Sequence, residues 1–145
     1  MSCILHIETS TKVCSVALSQ DGQLIYHEED FDGPNHSVRC GEMAEAALSF
    51  ANSHAIPVDA VAVGSGPGSY TGLRIGASIA KGICYGRTLP LIAILTPQIM
   101  CVPVLLKNDD LPEDALLVPM TDARRMEVYS AVYDRSLHEV RGIEA

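Results

Sequence analysis

Positive charge is scarce in this sequence. Ten Lys and Arg stand against 18 Asp and Glu, a formal net charge of −8, and no Lys/Arg run occurs. Binding to a phosphate backbone needs clustered cations, so the chain by itself is a poor nucleic-acid binder. Long apolar runs are missing too: no stretch reaches the roughly 18 residues that a membrane span requires. Met1 to Thr11 has no basic segment ahead of an apolar core, so no signal peptide is expected. Paired cysteines are absent as well. The five cysteines (Cys3, Cys14, Cys40, Cys84 and Cys101) are odd in number, include no CxxC and sit in apolar runs. They read as reduced, buried, small hydrophobes, with a cytoplasmic location as the matching expectation. What remains is 145 residues, 48% of them hydrophobic, enough for one full domain with material left over.

The most informative segment present is the loop from Gly64 to Gly76, GSGPGSYTGLRIG, lying between an apolar run (Val58 to Val63) and a helix-like run (Leu73 to Gly86). A strand-to-helix turn of this composition presents backbone N–H groups and tolerates positive φ. It still fits no common phosphate loop. The gap from Gly68 to Gly72 is too short for a Walker loop and no Lys follows Gly72, while Gly66 to Gly72 is one residue too long for the dinucleotide fingerprint.

Around it the chain reads as β-β-β-α-β-α-β. Cys3 to Ile7 is followed by the polar loop Glu8 to Lys12. Val13 to Ser19 then alternates, with Cys14, Val16 and Leu18 on one face, and Asp21-Gly22 is a hairpin signal leading into Leu24 to Glu29. Pro34 and Asn35 precede a helix over 37–53 with an apolar stripe of Cys40, Ala44, Ala47, Leu48 and Ala51. A strand over 58–63, a helix over 71–85, a strand over 89–95 and a helix opened by Pro97 follow. From residue 115 the opening pattern returns: an apolar strand to Met120, a polar loop Thr121 to Arg125, an alternating Met126 to Tyr133, a turn, and Leu137 to Ile143. Asp122 falls where Glu8 fell. The reading is an N-terminal domain over 1–110 and the first strands of a second, similar one over 111–145.

A duplicated β-β-β-α-β-α-β unit with an acid closing each first strand resembles the actin-like ATPase (RNase H-like) architecture. The segments Ile7 to Leu18, His36-Ser37, Ala62 to Gly76 and Asp122 to Tyr129 narrow it: the chain resembles the bacterial TsaB (YeaZ) family over its whole length, in a short or truncated form. The resemblance implies a non-catalytic subunit in tRNA N6-threonylcarbamoyladenosine formation at position 37. It implies partnership with a TsaD-like transferase and a TsaE-like ATPase, a homodimer when alone, tRNA bound only through the complex, no membrane and no cofactor.

Three sets of residues are candidates. Glu8, Thr9, Ser10, Thr11 and Lys12 correspond to a nucleotide-binding hairpin, against a plain turn. Relatives usually carry Asp where this chain has Glu8, and the second hairpin, Thr121 to Arg125, has no glycine to bring its backbone near a phosphate. Gly64, Gly66, Pro67, Gly68, Thr71 and Arg74 form a structural loop, with Arg74 expected either to reach a carboxylate (Glu8 or Asp122) or to stand solvated. Gly72, Leu73, Gly76, Ala77, Ala80 and Cys84, with Met43 and Ala47, are read as a dimer or partner surface, the alternative being packing on the chain's own sheet. No metal site is assigned: His36 is followed one turn later by Cys40 rather than by a second His, and two ligands do not make a site. Catalytic residues are not assigned either. The rival readings are a stand-alone actin-like phosphotransferase and, more remotely, a peptidase using Ser69 or Ser10.

Overall fold

The computed structural model describes residues 1–33 and 36–145; the expected lead-in Pro34-Asn35 and the side chain of His36 lie outside the described residues. The chain divides into two compact units. The first comprises Met1–Ser65 and Ser69–Ile94, the second Gly66–Gly68 and Leu95–Ala145, so residues 95–110 cluster with the second unit.

In the first unit β1 (Cys3–Glu8), β2 (Cys14–Gln20) and β3 (Gln23–Asp30) form the expected meander. The hairpin between β2 and β3 turns on Asp21 (φ 49°) and Gly22 (φ 80°), the left-handed pair that a right-twisted hairpin prefers. Helix α1 (His36–Ser53) leads to β4 (Ala60–Gly64), α2 (Tyr70–Arg87) to β5 (Leu91–Ile94), and the sheet order is β3-β2-β1-β4-β5. The β1–β2 and β2–β3 pairs are antiparallel; β4 runs parallel to both β1 and β5. Alternation decides which side is inside. Leu5, Ile7, Cys14, Val16 and Leu18 share one face with Val61 and Val63, and onto it pack Cys40, Met43, Ala47 and Ala51 of α1 and Ala80 and Cys84 of α2. The predicted stripe of α1 is therefore its core face.

The opposite face of the sheet carries His6, whose Nε2 lies 2.7 Å from Ser19 Oγ. Burial holds this imidazole below its ordinary value. The folded state thus keeps His6 neutral while the unfolded chain takes up a proton below about pH 6.5, so stability is lost as pH falls from about 6.5 toward the lowered folded value. His6→Gln should flatten that part of the profile. Urea unfolding at about pH 7 and about pH 5.5 should give a smaller difference for the variant than for the parent chain.

In the second unit α3 (Thr96–Lys107) precedes the antiparallel sheet β6 (Met120–Arg124), β7 (Glu127–Tyr133), β8 (Glu139–Glu144). Its core is Cys101, Ala131 and Tyr133, joined by Leu117, Leu137 and Ile143. The boundaries here differ from the sequence reading. The apolar segment before Met120 contributes one bridge, Leu117 to Tyr133, and the expected polar loop is itself strand β6. Arg124 pairs with Glu127 across Arg125 and Met126, and residues 124, 125 and 126 have φ of 65°, 54° and 63°. A tight left-handed turn is made without glycine, at a cost of roughly 1–2 kcal/mol per residue. Met126 is fully exposed, so Met126→Gly removes no packing and should stabilise the second unit by about 1 kcal/mol, read from its thermal midpoint.

Candidate functional site

The glycine loop and the segment after β1 are built against each other. Thr9 is fully buried and Ser10 nearly so. Thr9 Oγ1 donates to the carbonyl of Gly72 at 2.6 Å, and the Ser69 N–H donates to the carbonyl of Ser10 at 2.7 Å. A side chain on Gly72 would collide with the Thr9 carbonyl, one on Gly76 with the Thr9 hydroxyl, and one on Gly64 with the Glu8 carboxylate. The glycines are thus explained by close approach of α2 and β4 to residues 8 and 9, which is what a small-residue stripe permits.

Four of the loop's N–H groups are engaged within the chain, that of Ser69 as above and those of Ser65, Gly66 and Gly72. Ser65 N–H donates to Ile94 O at 2.8 Å and Gly66 N–H to Thr96 Oγ1 at 3.1 Å. Ser69 caps α2, its Oγ accepting from Gly72 N–H at 3.2 Å. An anion cradle needs converging free donors; these four donors are occupied by the chain itself. Gly66, with φ 97°, is buried beside a cis peptide to Pro67; Gly68 is half-buried and Thr71 is exposed.

Among the expected nucleotide-binding residues, Thr9 and Ser10 therefore face inward, while Thr11 and Lys12 are exposed. Glu8 Oε1 accepts from Ser10 N–H at 2.8 Å. Glu8 Oε2 and Ser10 Oγ are buried oxygens with no protein partner among the described residues. They are the polar atoms left over at this junction.

Gly72, Gly76, Ala80 and Cys84 of α2, with Met43 and Ala47 of α1, are buried in the first unit, and Leu73 and Ala77 are half-buried. The sheet claims the stripe expected to face a partner, because its small side chains are what let α2 lie close to Thr9. The outward side of α2 is made by other residues. Tyr70, Arg74, Ser78, Lys81 and Tyr85 are exposed, and their spacing puts them within one narrow sector of the helix. The helix holds no acidic residue, in a chain of net charge −8. Of the two expectations for Arg74 the solvated one holds: it is exposed, its guanidinium lies 5.5 Å from the Tyr70 ring centre, and among the described residues it makes no ion pair. The Tyr70 ring was not singled out from sequence, although its four-residue spacing from Arg74 was a usable signal.

The described histidines other than His6 are also engaged: His27 with Glu29 at 3.1 Å, His54 with the Phe50 carbonyl at 2.8 Å, and His138 with Asp134 at 3.1 Å. Ser69, spent on its cap, and Ser10 have no histidine beside them among the described residues. The described residues also hold no group of three or more His, Cys, Asp or Glu able to bind a metal, and no helix is long and apolar enough to cross a membrane.

The family model TsaD, tRNA N6-adenosine threonylcarbamoyltransferase, matches residues 32–143, well over half of the chain. The TsaB protein of Escherichia coli, a tRNA threonylcarbamoyladenosine biosynthesis protein, is 38% identical over 132 residues, which is 91% of this chain and 55% of that protein. This chain belongs to the TsaD family, on its TsaB (YeaZ) branch. YeaZ from Pseudomonas aeruginosa superposes with a TM-score of 0.77 at 28% identity, covering all of this chain and 65% of its own. The Ppx/GppA phosphatase of Aquifex aeolicus, at 7% identity and a TM-score of 0.51, shares the fold alone, and with it the actin-like class. The chain spans about half the length of the curated TsaB relatives it matches.

Proposed function

We propose that this chain works as a non-catalytic subunit in tRNA N6-threonylcarbamoyladenosine formation, held against a TsaD-like transferase and serving with a TsaE-like ATPase. The observation that carries the reading is the internal use of the glycine loop. The Ser69 N–H and the Thr9 hydroxyl, which an ATP-binding actin-like protein would turn toward phosphates, tie the start of α2 to residues 9 and 10 after β1, and the N–H groups of Ser65, Gly66 and Gly72 are also spent within the chain. The matching relatives named for this biosynthesis supply the pathway.

The partner seat in this reading is the outward side of α2. Tyr70 and Tyr85 offer large, rigid contact area, and Arg74 and Lys81 select an acidic partner surface. tRNA is then gripped by the partners, in keeping with the acidic balance of this chain. Lys81→Glu together with Tyr85→Ala should weaken capture of a TsaD-like transferase by tenfold or more, with unchanged circular dichroism. Modification of tRNA reconstituted with these variants should fall in step. Full capture by the double variant would remove α2 from the interface.

The phosphotransferase reading retains one observation, the partnerless oxygens Glu8 Oε2 and Ser10 Oγ, which a hydrated cation would satisfy. Calorimetry with Mg·ATP on the isolated chain separates the two. No heat of binding is expected of the scaffold; micromolar binding that Glu8→Gln abolishes would favour the enzyme.

A further inference from the structure

Four strands lie at sheet edges: β3 and β5 in the first unit, β6 and β8 in the second. An open edge invites pairing with another chain, and proteins blunt it with charge or with a break in register. Three of the four are blunted in both ways. β3 carries Glu28, Glu29 and Asp30, β6 carries Asp122 and Arg124, and β8 carries Glu139, Arg141 and Glu144; each pairs with its neighbour across a shift in register. β5 is short, yet it has neither device. Its sequence is LIAI, its register with β4 is unbroken, and no Asp, Glu, Lys or Arg occurs from Thr88 to Leu106. Leu91 and Ile92 are 38% and 39% exposed and Ala93 is exposed too, so none of the described residues covers the strand.

The ladder shows which groups face outward. Val61 N–H donates to Pro90 O at 3.1 Å and Ser65 N–H to Ile94 O at 2.8 Å, so the even-numbered residues of this segment turn their backbone polar groups toward β4. Alternation along the strand then points the N–H and C=O of Leu91 and Ala93 the other way, off the open edge. We propose that this edge pairs with β5 of a second copy of the chain, antiparallel about a two-fold axis at Ile92.

That arrangement is self-complementary. Leu91 of one protomer stands opposite Ala93 of the partner subunit and exchanges both N–H···O bonds with it. The two-fold repeats the pair, so hydrogen-bonded pairs flank an apolar contact between the Ile92 side chains of the two copies. Charge selects the same occupant. A net charge of −8 on each copy opposes self-association over most of the surface, and the uncharged stretch around β5 lets two copies meet without like charges face to face. A charged strand from another protein would find no counter-charge here; the edge fits an apolar, uncharged strand, and β5 is itself one. Strands of this length make a small contact, of the weak and concentration-dependent class. The outward side of α2 takes no part, so the pairing does not rest on the transferase reading.

The test is sedimentation equilibrium of the whole chain from micromolar to millimolar concentration, where the mass should rise from 15.5 kDa toward twice that value. Ala93→Pro removes an outward N–H and no ladder bond to β4, so it should weaken dimerisation about tenfold or more with unchanged circular dichroism. Ile92→Cys gives a second readout. The Cα atoms of a non-hydrogen-bonded pair stand about 4.5 Å apart, within the span of a disulfide. Mild oxidation should therefore yield a dimer that a reductant splits, in several times the amount formed by Leu91→Cys. A chain that keeps a mass of 15.5 kDa throughout overturns the proposal and leaves the edge to a strand of another protein. A dimer that survives Ala93→Pro but is lost in Lys81→Glu with Tyr85→Ala overturns it too, by moving the contact to α2. Should Ala93→Pro not fold, the cross-linking contrast decides: Leu91→Cys linking as readily as Ile92→Cys excludes a two-fold at Ile92.

Discussion

Gly72→Ala should cost about 3 kcal/mol of folding stability, a large share of the roughly 5–15 kcal/mol that holds a domain together. The new methyl group has nowhere to go. Besides its collision with the Thr9 carbonyl oxygen it would stand 3.3 Å from both the Thr9 carbonyl carbon and Ser69 Oγ. A backbone carbonyl cannot rotate away as a side chain can, so either the start of α2 or the end of β1 must move. Either movement also breaks the Thr9 Oγ1 bond to Gly72 O and the Ser69 N–H bond to Ser10 O. Gly82→Ala is the matched control. It lies in the same helix with nothing within 4 Å of the added carbon, so the better helix propensity of alanine should stabilise by about 0.5–1 kcal/mol. Chemical denaturation of the two variants should move the midpoint in opposite directions. A Gly72→Ala chain within about 1 kcal/mol of the parent would mean that the loop is not clamped at Thr9.

How far the sequence carried can be judged from these same residues. Alternation placed Cys14, Val16 and Leu18 on one face and the Asp21-Gly22 turn in its hairpin, because both are local signals with strict periods or dihedral demands. The four-residue repeat of Gly72, Gly76, Ala80 and Cys84 announced a close approach to α2 but not its object, since Thr9 is more than 60 residues away in sequence. Choosing a partner over the chain's own sheet had no local signal to rest on. The β6–β7 turn escaped for the opposite reason: Arg124, Arg125 and Met126 take left-handed dihedrals that turn chemistry assigns to Gly, Asn or Asp. Tertiary context overrode local preference there, and the strand boundaries shifted with it.

Ala80→Glu carries the other large effect, and it separates a core stripe from a contact surface. Ala80 is fully buried in the apolar core cluster of the first unit. A glutamate there brings both excess volume and a carboxylate with no cation in the cluster, and an uncompensated buried charge costs about 3–5 kcal/mol. For a chain of this size that lowers the melting temperature by roughly 10–20 °C, with loss of the cooperative transition if the parent is marginal. The neighbouring Lys81→Glu places the same carboxylate one residue along, on the exposed side. It should leave the melt within about 0.5 kcal/mol of the parent. If α2 is the partner seat, both variants lose the partner, Ala80→Glu by unfolding and Lys81→Glu as a folded chain, and calorimetric melts beside the pull-down tell them apart. An Ala80→Glu chain that melts like the parent and loses only its assembly would return the small-residue stripe to the surface. The packing of α2 on Thr9 and the sheet would then have to be abandoned.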